Sequence, residues 1–500
     1  MLLVELVRAS GEVAATRSRL KKRAILADLL RRAPVDEIDI VTTWLSGTLR
    51  QRRTGIGWRS LTDLPPARPI ARAEVSAVEA ALAQAATLSG EGSSLARRAL
   101  VEELFGQLTS AEQDFLRNLI TGQVRQGALD SVMLDAIADA AEVPIEAVRR
   151  AAMFSAPTGP VALAALTGGT AALQGFDLQV GRPVRPMLAG SAPDVAAGVA
   201  KLDAADFVVD TKLDGIRIQV HRHGDQVEVF TRSLDEISAR LPAVVASARA
   251  LPEDNLILDG EALLMDPEGR PRSFQETSSS AASGTREQEL QPFYFDLLHA
   301  GQDSLLSRPL AQRLARLDEV VPTAQRVSRL TTSSPSQAED WFRQAIAEGQ
   351  EGVILKRLEA PYDAGRRGSA WIKVKPRHTL DLVVLAVEWG SGRRKGWLSN
   401  IHLGARDGNA FVMLGKTFKG MTDEMLAWQT ERFLSLQTHR EGHVVHVRPE
   451  QVVEIAFDGL QRSTRYPGGV ALRFARVLRY RDDKAASQAD TIETVRELLR

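Results

Sequence analysis

Apolar residues recur at three- and four-residue spacing along much of the first third of the chain, which is typical of amphipathic helices. This periodicity predicts helices over residues 20–31, 73–87, 98–108 and 130–140. Thr109 and Glu112 form a capping box, which predicts the start of another helix that runs to Ile120. Residues 48–72 are rich in Arg, Gly and Pro and are predicted to be a loop. The first part of the chain is therefore predicted to be all-α.

Beyond residue 206 the apolar positions follow a two-residue period, which indicates β-strands. Strands are predicted over residues 207–210, 216–220, 226–230, 255–258 and 292–295, and helices over 308–319 and 337–348. Residues 154–186 are rich in Gly and Pro with few charges, so a domain boundary is placed near residue 180. The biased composition of residues 277–289 predicts a mobile loop.

The remainder of the chain is mostly strand-like, with one helix among the strands. The strands are predicted over 381–388, 397–405, 410–415, 443–448, 451–457 and 471–480, and the helix over 422–436. This order is typical of an OB-fold, a small β-barrel. The prediction is therefore a multidomain chain, with an all-α domain over 1–180, an α+β core over 181–379 and an OB-fold over 380–500.

The composition excludes several classes of protein. With 44% hydrophobic and 25% charged residues, the chain is typical of a soluble globular protein rather than a disordered one. No apolar run reaches the roughly 18 residues of a membrane span, and Glu5 interrupts the apolar N-terminus, so a cytoplasmic location is predicted. The absence of cysteine excludes disulfides, cysteine zinc sites and thiol nucleophiles. The net charge of zero neither requires nor excludes a nucleic-acid partner.

Lysine is rare, since only 11 of the 63 basic residues are lysines. An amine can lose its proton and attack an electrophile, whereas a guanidinium cannot, so a retained lysine can mark a place where an amine is required. A coding bias toward arginine is the alternative explanation. The residues around each lysine distinguish these two explanations.

Lys212 lies in the segment Thr211–Arg217, between two predicted strands and directly before Asp214-Gly215. An amine at this turn could attack a phosphorus or carbonyl centre, provided that burial or nearby positive charge favours its neutral form. The alternative is a β-hairpin turn with a solvated lysine beside it. Lys-x-Asp-Gly alone is a weak signal.

Further motifs follow Lys212 in a fixed order. They are Thr231–Ser233, Asp259–Glu261, Phe293–Asp296, Glu351–Lys356, Trp371–Lys375 and Arg473–Lys484. Alternation along a strand places Lys373 and Lys375 on one face. Each motif alone could be a turn, a solvated face or part of the core, but the joint order and spacing are far more specific.

With this order of motifs from 210 to 484, the chain resembles the ATP-dependent DNA ligases, within the covalent nucleotidyltransferase superfamily that also contains RNA ligases and mRNA capping enzymes. Residues 116–130 are similar to the helical DNA-binding domain of the larger ligases. The resemblance implies an α+β nucleotidyltransferase core, ATP-grasp-like, between the helical domain and the OB-fold. It also implies that Lys212 is the nucleophile, forming a phosphoramidate with AMP.

The resemblance implies roles for the other motif residues. Asp210 occupies a position where relatives usually have a glutamate that reads the adenine amino group, and Phe295 matches the ring that stacks on adenine. Arg217 and Arg232 match residues that contact ribose and phosphate, or later the nicked strand. Glu261 matches a ligand of ribose and metal.

The remaining matches concern the metal and the phosphates. Glu351 matches a metal-site carboxylate, and Arg481 and Lys484 match barrel residues that orient pyrophosphate. The matches to the cluster around the α-phosphate are Lys356, Arg367, Lys373 and Lys375. Independently of any resemblance, attack on a triphosphate needs in-line geometry and neutralisation of the developing charge, which such cations and Mg²⁺ supply.

The implied cofactors are ATP and Mg²⁺, for which Mn²⁺ can substitute, and the implied partner is nicked duplex DNA. The resemblance implies a monomer that encircles DNA, with a hinge near His378–Asp381 that lets the third domain move between steps. A sliding-clamp peptide is not evident in the sequence. The expected setting is a prokaryotic, nucleoid-associated enzyme of DNA repair, replication or recombination.

Three other functions would share some of these sequence features. An RNA ligase or a capping-type guanylyltransferase shares Lys-x-Asp-Gly, but the large helical domain favours duplex DNA. An NAD-dependent ligase is disfavoured because its four-cysteine zinc module is impossible without cysteine. A non-catalytic DNA clamp is disfavoured because Lys212 is present.

Overall fold

The computed structural model describes residues 1–51, 54–124, 129–155, 157–283 and 290–498. The first of its three parts is helical. Its helices are α1 (Leu3–Ala15), α2 (Arg19–Arg32), α3 (Ile38–Leu45), α4 (Val75–Thr87), α5 (Ser93–Phe105), α6 (Ser110–Ile120), α7 (Leu129–Ala141), α8 (Ile145–Met153) and α9 (Gly159–Gln174). Their apolar faces meet in one core that includes Leu6, Trp44, Leu82, Phe105 and Leu116.

The predicted capping box begins α6. The Thr109 amide donates a hydrogen bond of 2.8 Å to the Glu112 carboxylate, and the Glu112 amide donates one of 3.4 Å to the Thr109 hydroxyl. The predicted helices over 20–31, 73–87, 98–108 and 130–140 correspond to α2, α4, α5 and α7. Part of the segment 116–130 lies outside the described residues.

Helix α9 occupies the middle of the Gly- and Pro-rich segment 154–186. Pro160 does not disrupt this helix, because it lies in the first turn, where the amide that proline lacks has no intrahelical partner. Gly169 has a φ of +59° and interrupts the regular helix.

Among the described residues, the second part contains ten strands in two five-stranded sheets. They are β1 (Leu188–Ala192), β2 (Phe207–Lys212), β3 (Ile216–His223), β4 (Gln226–Thr231), β5 (Asn255–Leu264), β6 (Leu290–Ala300), β7 (Asp303–Ser304), β8 (Arg329–Thr332), β9 (Gly352–Arg357) and β10 (Arg367–Val374). Sheet A has the order β1-β10-β9-β2-β8 and sheet B the order β4-β3-β5-β6-β7. β1 and β10 are parallel, and the other neighbours are antiparallel. The chain passes from sheet A to sheet B between β2 and β3.

Helices accompany these sheets. They are α10 (Val195–Leu202), α11 (Pro242–Arg249), α12 (Phe274–Ser283), α13 (Leu310–Val320) and α14 (Pro335–Ala347). The prediction of a loop over 277–289 is wrong for residues 277–283, which lie in α12, where Thr277 is buried against β5. Residues 284–289 lie outside the described residues.

The third part is β-rich. Its strands are β11 (His378–Trp389), β12 (Leu398–Asp407), β13 (Ala410–Thr417), β14 (Gln437–Glu441), β15 (Val444–Val447), β16 (Val452–Phe457), β17 (Gly459–Arg462), β18 (Val470–Arg473) and β19 (Arg476–Tyr480), with helices α15 (Asp423–Ser435) and α16 (Ile492–Glu497). β11 pairs with β12 on one side and with both β15 and β16 on the other, and β16 pairs with β19. The Val477 amide donates to the Lys419 carbonyl over 2.9 Å, which draws the two ends of this curved sheet together.

The structure changes two details of the predicted third domain. The single strand predicted over 471–480 is two strands, because Phe474 between them has a φ of +55°. The expected hinge at His378–Asp381 lies inside β11 and pairs with β16, so the connection between the domains is residues 375–377. Within the described ranges, no helix has the length and apolarity needed to cross a membrane.

Candidate active site

A cleft of about 560 Å³ lies between the two sheets of the core and is closed on one side by the third domain. It is lined by eleven of the thirteen residues that the sequence singled out. These are Asp210, Lys212, Arg217, Arg232, Glu261, Phe295, Glu351, Lys356, Arg367, Lys373 and Lys375. Arg481 and Lys484 are not among the lining residues.

Lys212 stands at the end of β2, opposite Gly352 at the start of β9. Gly352 has a φ of +143°, and a Cβ there would lie 2.2 Å from the Val374 carbonyl oxygen, so glycine is required. The Glu351 amide donates a hydrogen bond of 3.0 Å to the Lys212 carbonyl. This backbone arrangement fixes the Glu351 side chain beside the Lys212 amine.

The Glu351 carboxylate forms ion pairs with both Lys212 and Lys375. Burial alone would raise the pKa of Glu351, but the two ammonium groups outweigh burial and hold that pKa below its usual value. Burial, with the charges of Lys375 and Lys212, lowers the pKa of Lys373. The direct partner of the Lys212 amine is therefore a carboxylate, which it shares with Lys375.

Asp210 and Lys356, on the neighbouring strands β2 and β9, form a buried ion pair in the cleft, with 2.5 Å between the Lys356 Nζ and the Asp210 Oδ2. Burial raises the pKa of Asp210 against the opposing effect of Lys356. The Asp210 Oδ1 has no hydrogen-bond partner in the part of the chain that the structure describes. The sequence grouped Lys356 with the phosphate cluster, whereas the structure pairs it with Asp210.

Two aromatic rings accompany this ion pair. The Lys356 Nζ lies 4.6 Å from the ring centre of Phe295 and 4.4 Å from that of Trp371. The two rings meet edge to face at 5.9 Å. An apolar wall with an unpartnered carboxylate oxygen beside it is suited to a flat, amine-bearing heterocycle.

Arg217 is held by Asp259 through two hydrogen bonds of 2.7 and 3.1 Å and donates a third, of 2.7 Å, to the Met187 carbonyl. The Tyr362 hydroxyl donates to the same Asp259 carboxylate over 2.6 Å. Burial alone would lower the pKa of Arg217, but Asp259 outweighs it and raises that pKa. The guanidinium is therefore fixed in place at the wall of the cleft.

Glu261 faces Arg217 across the β3–β5 pair. Burial raises the pKa of Glu261 to about 7, against the opposing charges of Lys212 and Arg217. A carboxyl group with this pKa is only partly ionised near neutral pH unless a further cation lies beside it.

The third domain contributes residues that the sequence analysis did not assign to the site. The Arg473 guanidinium donates a hydrogen bond of 2.8 Å to Asp214, and Asp458 lies 3.4 Å from the Lys375 Nζ. Phe474, which is 58% exposed, also lines the cleft. Arg473 and Phe474 begin the same basic run as Arg481, which is the signal that could have identified them.

Arg481 and Lys484 lie elsewhere on the third domain. The Lys484 Nζ is 2.5 Å and the Arg481 Nη1 is 3.1 Å from the Asp381 Oδ2. The structure therefore separates these two residues from the cleft.

Comparisons with known proteins agree with this geometry. Three family models match the chain: "DNA ligase N terminus" over 68–138, "ATP dependent DNA ligase domain" over 186–375 and "ATP dependent DNA ligase C terminal region" over 394–484. A "Probable DNA ligase" of Beutenbergia cavernae is 63% identical, and the match covers 100% of this chain and 99% of that protein.

The chain belongs to the ATP-dependent DNA ligase family.

A second relative of this ligase, a "Probable DNA ligase" of Nocardioides sp., is 58% identical over 100% of this chain and 99% of its own length. A solved structure described as "Pmar-Lig_PreS3" shares the fold, with a TM-score of 0.64 and 18% identity over 95% of this chain and 99% of its own. The enzyme is thus an ATP-dependent DNA ligase with a helical N-terminal region, a nucleotidyltransferase core and a β-rich C-terminal domain. The RNA ligase and capping-enzyme alternatives are not supported.

Proposed function

We propose that Lys212 is the residue of this ligase that becomes adenylated, with the adenine of ATP near Asp210 and the phosphates near the lysines. The observation that carries the proposal is one cleft that combines the Lys212 amine, the cations Arg367, Lys373 and Lys375, and an aromatic wall. The unpartnered Asp210 Oδ1 would accept a hydrogen bond from the adenine amino group.

The proposed ligation reaction has three steps. The Lys212 Nζ attacks the α-phosphorus of ATP, a P–N bond forms, the amine gives up a proton and pyrophosphate leaves. An oxygen of the 5′-phosphate at the nick attacks the same phosphorus, which breaks the P–N bond and restores the amine. The 3′-hydroxyl then attacks the 5′-phosphate, forms the phosphodiester and releases AMP.

We assign a Mg²⁺ ion to Glu261 and Glu351, and Mn²⁺ can substitute because it too prefers carboxylate oxygens. The residues fit the ion, because burial raises the pKa of Glu261 to about 7 and a divalent cation would favour its ionised form. The ion would neutralise charge that develops on the phosphate oxygens. Glu351 meanwhile positions the Lys212 amine through their ion pair.

The proposed first step needs a second orientation of the third domain. Arg481 and Lys484 are paired with Asp381, whereas Arg473 and Phe474 face the cleft. We propose that the described arrangement serves the later steps and that bending at residues 375–377 brings Arg481 and Lys484 to the triphosphate for the first step.

We propose that nicked duplex DNA is encircled by the three domains of a monomer, without the need for a sliding clamp. A second cavity, of about 340 Å³, lies between the helical and core domains and is lined by Arg149, Arg185, Arg366 and Arg367. Such a cationic lining suits a phosphate backbone, and DNA binding should weaken steeply as salt is added. The proposed setting is the prokaryotic cytoplasm and nucleoid.

The adenylation proposal is tested by mass spectrometry of the protein after incubation with ATP and Mg²⁺. The wild type should gain one AMP, located on Lys212 by peptide mapping, and Lys212→Ala should gain none. Lys201→Ala, which changes an exposed lysine outside the cleft, is the matched control and should be adenylated normally. Adenylation of Lys212→Ala would overturn the assignment, and loss of adenylation in Lys201→Ala would show that the effect is not specific.

A further inference from the structure

The β14–β15 hairpin of the third domain brings together three side chains that the ligation site does not use. His439 and His446 lie directly opposite each other on the two strands, and Glu441 follows His439 by two residues on the same face. The two imidazole rings stack at 4.2 Å with an angle of 6° between their planes. One nitrogen or oxygen atom of each residue lies within 4.8 Å of those of the other two.

The Glu441 carboxylate lies beside both rings. Its Oε1 is 3.9 Å from the His439 Nε2, and its Oε2 is 3.8 Å from the His446 Nε2. Each oxygen thus faces a different imidazole nitrogen. The three side chains thus lie together on one face of the hairpin, although the lone pairs of two stacked, parallel rings do not point at one position.

A hydrogen-bond chain reaches His439. The Thr438 hydroxyl lies 3.1 Å from the His446 carbonyl, to which it can donate, and 3.2 Å from the His439 Nδ1. When the hydroxyl donates to the carbonyl it accepts from Nδ1, and this tautomer of the neutral ring leaves a lone pair on Nε2, which faces Glu441. Metal-binding histidines are oriented by such hydrogen bonds from their second nitrogen.

We propose that His439, Glu441 and His446 bind a divalent transition-metal ion, with Zn²⁺ as the reference ion. Two imidazole nitrogens and one carboxylate suit Zn²⁺ and other late transition metals, whereas Mg²⁺ prefers oxygen ligands alone. In a tetrahedral Zn²⁺ site the ligand atoms lie about 3.3 Å apart, and the ion lies in the plane of each imidazole, so the two rings must rotate out of their parallel stack to bind it. His439 and Glu441 are exposed on β14, which leaves room for this rotation. The fourth position would remain open to water or to a phosphate oxygen.

Binding would stabilise an otherwise weakly held strand. β14 lies at the end of the strand order, and all five of its residues are exposed. An ion shared between β14 and β15 would tie this edge strand to the sheet, and the free energy of binding would add to the stability of the folded domain. The three ligands are not among the residues that line the ligation cleft.

Calorimetric titration of the metal-free, full-length protein with Zn²⁺ tests the proposal. We expect one ion to bind per chain. His439→Asn and His446→Asn should each weaken binding by about 100-fold or more, because even outer-shell partners are worth about 10- to 100-fold in affinity. His443→Asn, a change of the same kind in the same hairpin, is the matched control and should bind as the wild type does.

Co²⁺ gives a readout that depends on the ligands themselves. Its visible absorption bands should show tetrahedral nitrogen and oxygen coordination in the wild type and in His443→Asn, but not in a His439→Asn/His446→Asn double variant. Circular dichroism establishes whether each variant is folded. Unchanged Zn²⁺ binding by a folded double variant, or no saturable binding by the wild type, would overturn the proposal.

Discussion

Asp210 and Lys356 form an ion pair in which each residue is only 2% exposed. Two buried charges compensate each other, but removal of one leaves the other without a partner in a medium of low polarity. The pair also fixes the carboxylate whose second oxygen we assign to the adenine base. The stability of the core and the choice of nucleotide should therefore depend on the same residue.

Asp210→Asn should lower the free energy of unfolding by about 3 kcal/mol, because the Lys356 ammonium loses its buried counter-charge. Urea unfolding of the whole chain measures this change. Asp206→Asn, which alters an exposed carboxylate just before β2, should leave stability within about 0.5 kcal/mol of the wild type. Equal stability of Asp210→Asn and the wild type would contradict the buried pair.

Glu261 couples the stability of the metal-free enzyme to pH. Burial raises the pKa of Glu261 to about 7, above the value of about 4.3 expected in the unfolded chain. Between these two values the folded state binds more protons, so this group makes folding less favourable as the pH rises toward 7 and beyond.

Glu261→Gln removes the carboxyl that must ionise, so we expect the variant to gain stability over the wild type at about pH 8, by about 1–3 kcal/mol. At about pH 4 the gain should disappear, since the wild-type carboxyl is then protonated in both states. Thermal unfolding in the presence of a chelator at both pH values measures the difference. A gain that is the same at both would show that ionisation of Glu261 is not its cause.

At the scale of residues, the sequence predicted which residues belong to the site better than which residues they contact. Eleven of the thirteen predicted site residues line one cleft because their motifs lie on or beside strands of the two sheets that border it. The pairing of Lys356 with Asp210 was missed, because it depends on which strands are neighbours in sheet A. A pairing between strands whose residues are 146 positions apart in the chain has no signature in a local pattern.

At the scale of elements, the β2–β9 pair sets the position of the Lys212 amine. The Gly352 backbone at the start of β9 approaches the Val374 carbonyl so closely that no side chain can be accommodated. This close approach of two strands, rather than a flexible loop, fixes the positions of Glu351 and Lys212.

Gly352→Ala should therefore destabilise the protein by about 1–3 kcal/mol and reduce adenylation of Lys212, because β9 must shift away from Val374. Unfolding experiments and a gel assay for the adenylated enzyme measure the two effects. Gly368→Ala is the control within the same sheet, since a Cβ there meets nothing closer than 3.9 Å. Normal stability and adenylation in Gly352→Ala would show that the strand tolerates the change.

The prediction of elements from the sequence succeeded for α2, whose apolar residues recur at helical spacing, and for α6, which begins at the Thr109–Glu112 capping box. It failed where tertiary packing decides the structure. The serine-rich part of α12 is helical because Thr277 and Ala281 pack into the core. The break between β18 and β19 depends on the conformation of Phe474, a residue type that rarely adopts a positive φ.

At the scale of the whole molecule, ion pairs connect the third domain to the cleft. Arg473 reaches Asp214 in the turn after Lys212, and Asp458 reaches Lys375. These ion pairs are partly exposed, so each contributes on the order of 1 kcal/mol or less. Ion pairs of this strength are compatible with repeated opening.

Arg473→Ala should slow sealing of pre-adenylated nicked DNA by about three- to tenfold, since loss of about 1 kcal/mol changes a rate by that amount. Formation of the Lys212 adduct should change less, because the proposed first step uses the other orientation of the domain. Single-turnover kinetics of the two reactions separate these effects. Arg479→Ala, which breaks a pair with Glu454 inside the third domain, is the control. An equal loss in both reactions would argue against a step-specific contact.

Domain arrangement was predictable only in part. The change of apolar period along the chain separated helical from strand-rich regions, because that period is a local property. The face that the third domain turns toward the core was not predictable, since Arg473 and Arg481 belong to one continuous basic run.

Asp381 holds Arg481 and Lys484 on the third domain in the described arrangement. Arg481 also forms ion pairs with Asp483 and Glu454. In the proposed first step, an incoming triphosphate would have to displace these carboxylates from the two cations. Renewed adenylation would therefore depend on acidic residues of the third domain as well as on the nucleotide pocket.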